Sequence, residues 1–112
     1  MTNRTDRINE EVKKELSFII RELKDPRISK LASVVAVNVT KDLKFCKAYI
    51  SVLGSEKEQK ETIDGLKSSA GFVRRALGER VELRLLPEVI FELDRSIAHG
   101  AHINEILHQL KQ

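Results

Sequence analysis

Ile8, Val12, Leu16, Ile19, Ile20 and Leu23 recur at steps of three and four, which predicts an amphipathic helix from near Asp6 to near Leu23. Asp25-Pro26 should end it, because the residue before a proline is pushed out of the helical region and proline has no N–H to donate. The period then changes to two. Val34, Val35, Val37 and Val39 give the stretch from Ser33 to Thr40 a β-branched, alternating character, and Lys41-Asp42-Leu43 offers a turn. From Lys44 to Leu53, Cys46, Ala48, Ile50 and Val52 share one strand face while Phe45, Lys47, Tyr49 and Ser51 share the other. The two segments predict an antiparallel hairpin.

Ser55, with Glu58 three residues later, forms a capping-box pattern at the start of a second helical region. Its apolar stripe, Ile63, Leu66, Ala70, Val73 and Leu77, runs straight past Gly71. A mid-helix glycine costs about 1 kcal/mol relative to alanine, so its position predicts a kink or a backbone that something approaches closely. The bland alternative is a helix with one tolerated glycine. Val73, Leu77, Val81 and Leu85 fit a helix, whereas Val81, Leu83 and Leu85 also fit a strand; the expectation is helix to about Leu83. Pro87 breaks the pattern, Val89, Phe91 and Leu93 mark a third strand, and Ile103, Ile106, Leu107 and Leu110 predict a short C-terminal helix. The result is an α+β fold, α-β-β-α-α-β with a kinked helix packed on a three-stranded sheet and a helical extension, in one domain over residues 1–112.

Composition narrows the class. At 41% hydrophobic and 33% charged residues the chain is globular, and it has no apolar run long enough to span a membrane. The first seven residues lack the apolar segment of a secretory signal, and the single cysteine, Cys46, has no intrachain partner, so a cytoplasmic protein is expected. Net charge is only +3, but its distribution matters more. Between Ser55 and Gly65 acids outnumber bases, as suits the first turns of a helix; from Lys67 to Arg84 the bases Lys67, Arg74, Arg75, Arg80 and Arg84 face only Glu79 and Glu82. The sign reverses beside Gly71. Cations around a small-residue break, where a helix start exposes N–H groups, suit a phosphate; a solvated cationic face is the competing reading.

The element order resembles a type II K-homology domain, a nucleic-acid-binding fold, although the chain has no GXXG loop. Ser69-Ala70-Gly71 instead resembles the Ala-X-Gly elbow of the ribosome-binding factor A family. Lys24-Asp25-Pro26-Arg27-Ile28, Val39-Thr40-Lys41-Asp42-Leu43, Gly71-Phe72-Val73-Arg74 with Leu77-Gly78, and Leu83-Arg84-Leu85-Leu86-Pro87-Glu88 are similar to that family's signatures and fall in the expected order. Ser69 departs from the family's elbow alanine, keeping small size but adding a hydroxyl. The resemblance implies a non-enzymatic assembly factor that binds ribosomal RNA of the small subunit near the neck, supports late maturation and rRNA processing, and leaves before translation. It also implies a releasing GTPase as partner and no cofactor; a monomer without membrane association is expected.

On this reading Lys67, Ser69, Ala70, Gly71, Arg74 and Arg75 form the RNA-binding elbow, and Arg80 and Arg84 extend its rim if the helix continues. Arg27 either contacts RNA or caps the preceding helix. Lys41, Lys44 and Lys47 are either a second phosphate contact or strand-edge charges that discourage aggregation. Aromatic content is low at 4%, and Phe45, Phe72 and Phe91 are expected in the core, leaving Tyr49 as the one stacking candidate. Recognition should therefore lean on backbone and phosphate.

Two other function classes compete. A small phosphate-binding α/β enzyme could use the same elbow with Asp42, Asp94 or a histidine as base, but no nucleophile-base pair is evident. A protein-interaction module could use the C-terminal stripe as a groove-binding helix. His99, His102 and His108 lack the acid or thiol that would complete a metal site, and Cys46 reads as a small core residue.

Overall fold

The computed structural model describes residues 4–83 and 85–94. Helix α1 spans Arg4–Glu22, and its predicted stripe is the face it buries: Val12, Leu16, Ile19 and Ile20 are all in the core. Each such side chain contributes on the order of 1.5–3 kcal/mol on burial. Strand β1, Ala32–Val39, pairs antiparallel with β2, Phe45–Val52, and β3, Glu88–Leu93, pairs parallel with β2. The sheet order is β1-β2-β3, so β2 is central. Cys46, Ala48, Ile50 and Val52 form its inward face, as the alternation predicted.

Strict alternation fails in β1. The register shifts between Val34 and Ala36, so Val34 and Val37 are both buried although three positions apart. A bulge of this kind is what lets a run of consecutive valines serve one core. The β1–β2 turn is held by its own side chains. Asp42 Oδ1 accepts from the Thr40 hydroxyl at 2.7 Å and the Lys44 N–H at 3.0 Å, while Thr40 Oγ1 accepts the Phe45 N–H at 3.1 Å. Leu43 takes the left-handed conformation, φ 61°, needed to close the turn.

The parallel β2–β3 pair requires a crossover, supplied by α2, Glu56–Ser68, and α3, Ala70–Arg80. Ser55 caps α2 in a complete capping box with Glu58. Ile63, Leu66, Val73 and Leu77 pack into the same core as α1 and the sheet, with Ala70 half-buried beside them. The element order is the α-β-β-α-α-β of the sequence.

Two expectations are corrected, and a third is not tested. Helix α3 stops at Arg80 rather than near Leu83: Val81 is extended, φ −121° and ψ 129°, and the described residues between it and β3 are neither helix nor strand. Val81 is nonetheless buried, because Arg74 and Gly78 hold the returning segment at Leu86 against α3. Phe45 and Phe72 are not core residues; they are 40% and 54% exposed, and of the three only Phe91 is buried. The predicted C-terminal helix lies outside the described residues.

Candidate nucleic-acid interface

The break between α2 and α3 is one residue wide. Ser69, φ −94° and ψ 2°, ends one helix and begins the next. Its N–H donates to the carbonyls of Gly65 and Leu66, both at 3.1 Å, and its carbonyl accepts from the Val73 N–H at 2.9 Å. Its hydroxyl makes no capping hydrogen bond to α3, and the first turn of α3 contains no acid. The helix start therefore carries its partial positive charge without a side-chain cap or a compensating carboxylate.

Gly71 lies in that first turn. A Cβ built there meets nothing within 4 Å, so packing inside the protein does not require glycine. The other two helical glycines differ. At Gly65 a Cβ would come within 2.9 Å of Ile28 Cγ1 and 3.3 Å of Arg27 Cβ, and at Gly78 within 2.6 Å of Leu86 Cδ1. Gly65 and Gly78 serve the fold, while Gly71 leaves open space on the outer side of the elbow.

The structure divides the predicted cations. Lys67 and Arg75 are exposed, with no ion pair among the described residues, and flank the elbow on the α2 and α3 sides. Arg74 is also exposed, but its Nε and Nη2 donate to the Leu86 carbonyl at 3.1 and 2.7 Å. Arg80 turns to α1, its guanidinium 2.9 Å from Glu22 and 3.6 Å from Glu15, which neutralises it and removes it from the elbow rim. Glu79 near the end of α3 and Glu82 just past it line the same shallow depression as Arg75, so the positive surface is confined to the first two turns. Arg84 lies outside the described residues.

Arg27 is brought toward the elbow, paired with a neighbour on its own loop. Its guanidinium forks onto Asp25, 2.7 Å at the shortest contact, and this pairing holds the Asp25 carboxyl below its usual range. The loop around it docks on α2 one to two turns before Ser69: the Ser29 N–H donates to Thr62 Oγ1 at 3.1 Å, and the loop packs over Gly65. The hairpin lysines are divided as well. Lys41 and Lys44 are exposed at the turn, while Lys47 lies 3.9 Å from Glu92 on the neighbouring strand.

Two features escape the sequence reading. Residue type alone puts Phe72 in the core, although its position one step before Val73 turns it roughly 100° off the buried stripe. Arg21, Lys24 and Lys30 line a cleft of about 550 Å³ at the end of α1, and their clustering around Asp25-Pro26 is the available signal. The alternative catalytic groups gain no support. Asp42 is committed to its turn, where the Thr40 hydroxyl and the Lys44 N–H lower its pKa. Cys46 is fully buried, and desolvation pushes its thiol up to about 12. No group of three or more metal-ligating side chains occurs among the described residues, and the three histidines and the C-terminal stripe fall outside them. No described helix is long and apolar enough to cross a membrane.

The family model described as ribosome-binding factor A matches residues 4–107. A ribosome-binding factor A of Clostridium botulinum strain Hall is 56% identical over 110 residues, 97% of this chain and 92% of the relative. One from Acetivibrio thermocellus is 56% identical over 107 residues, 95% and 87% of the two chains. The crystal structure of ribosome-binding factor A from Thermus thermophilus superimposes with a TM-score of 0.73 at 26% identity, covering 81% of this chain and 97% of that one. A Thermus thermophilus ribosome binding factor A homology model, fitted into the cryo-EM map of a 30S complex, gives 0.65 at 29% identity, covering 78% and 91%.

Proposed function

Because the chain belongs to the ribosome-binding factor A family, a family of ribosome-binding factors, we propose that it is a non-enzymatic assembly factor. It binds ribosomal RNA of the small subunit and assists late maturation and rRNA processing. The observation that carries this reading is the elbow: an uncapped helix start, open space at Gly71, and on both flanks cations, Lys67 and Arg75, with no ion pair among the described residues. Such a surface has donors and charge for a phosphodiester backbone but no nucleophile or base. A related factor placed in a 30S map supports the small subunit as partner.

Phosphate contacts position a protein without reading sequence, so specificity on folded ribosomal RNA arises from shape and from how far the backbone can approach. Gly71 supplies that approach, and Lys67 and Arg75 supply attraction. Arg74 contributes by holding the Leu86 segment against α3, with its remaining guanidinium donor capacity facing solvent. Release by a GTPase and action as a monomer in the cytoplasm complete the proposed role. Sedimentation of cell extract tests it: the protein should travel with immature small subunits in preference to mature ones. Uniform absence from ribosomal fractions would contradict it.

A further inference from the structure

We propose that Phe72 stacks against an unpaired base of the RNA held at the elbow, making this a combined phosphate and base site; the inference rests on the RNA reading above. Phe72 is 54% exposed in the first turn of α3, where the chain could have placed a polar residue at no cost to the core. Its neighbours are what a stacking platform needs. Gly71 precedes it with open space, and Arg75 lies three residues on, which on a helix puts the guanidinium on the same face as the ring. A planar guanidinium and an aromatic ring on one face can both stack on bases, and each tolerates any base identity. No acid lies in this turn to repel a nucleic acid.

The other partly exposed rings on the sheet are placed differently. Phe45 sits opposite Glu88 in the β2–β3 register, and Tyr49 sits opposite Glu92 and is half-buried. Each has a carboxylate as its cross-strand neighbour, which disfavours a polyanion. Phe72 instead shares its helix face with Arg75, which has no ion pair among the described residues.

The chain contains no tryptophan, so Phe72→Trp introduces a single indole at the proposed site. The probe is protein-free small-subunit ribosomal RNA, which has no indole emission of its own. Phe72→Ala should bind it about tenfold more weakly than wild type, with an unchanged dependence on salt, because stacking displaces no counterions. Phe72→Trp should restore affinity, and its emission should be quenched on binding. Equal affinity for Phe72→Ala, or bound Phe72→Trp with unquenched emission, would overturn the stacking role while leaving the phosphate site intact. Wild-type protein that fails to bind this RNA would instead overturn the RNA reading itself.

Discussion

Arg74 and Leu86 are joined by two hydrogen bonds, with Nη2 and Nε of the guanidinium donating to the Leu86 carbonyl at 2.7 and 3.1 Å. This clasp ties the second turn of α3 to the segment that enters β3. It explains why two adjacent arginines of the same charge have different jobs. Arg74→Ala should lower stability by about 1 kcal/mol, the usual net value of such bonds, whereas Arg75→Ala should leave the melting temperature unchanged. Thermal unfolding of the two variants checks this. An equal effect would mean the clasp does not bear on the fold.

Among the described residues, Lys67 and Arg75 are the elbow cations with neither an ion pair nor a side-chain hydrogen bond. If about three phosphates are engaged overall, log affinity for small subunits should fall against log salt with a slope of roughly −2 to −3. Lys67→Glu with Arg75→Glu should flatten that slope by about 1.4–1.8, two phosphates' worth, while the circular dichroism spectrum is retained. Arg80→Ala should leave the slope unchanged, since its charge is already spent on Glu15 and Glu22. A slope indifferent to Lys67 and Arg75 would remove them from the interface.

Cys46 is a core residue with a pH signature. Burial raises its thiol from 9.0 to about 12, so the folded protein holds the proton more tightly than the unfolded chain. Below pH 9 both states are protonated and the group has no effect; between about 9 and 12 the unfolded thiol ionises first and stability falls. At pH 8 a thiol reagent should label Cys46 only after denaturation. Prompt labelling of the native protein would contradict the packing of β2.

Much of this organisation is legible in sequence because it is local. The α1 stripe, the hairpin and the Ser55–Glu58 capping box each follow from side chains within a few residues of one another. What sequence does not show depends on distant contacts. The end of α3 is ambiguous by periodicity, since Val81 is apolar on either reading, and it is decided by Leu86 folding back onto Gly78 and Arg74. Gly65 carries no local signal, yet Ile28 and Arg27 lie against it from a loop more than thirty residues earlier. The candidate site divides the same way: the elbow is visible at Gly71 and helical periodicity already turns Phe72 off the buried stripe, but only the fold shows that Arg80 is paired with α1.

Gly65 and Gly71 lie in the same kinked helical region and should respond oppositely to a methyl group. Gly65→Ala drives a Cβ into Ile28 and Arg27 and should destabilise by about 1–2 kcal/mol despite the gain in helix propensity. Gly71→Ala meets no protein atom and should stabilise by up to about 1 kcal/mol.

Whether RNA backbone fills the open space at Gly71 is decided by Gly71→Ala when unfolding and binding to purified small subunits are measured on the same preparation. The expected result is a higher melting temperature together with roughly tenfold weaker binding, equivalent to about 1.4 kcal/mol. A higher melting temperature with undiminished binding would contradict it.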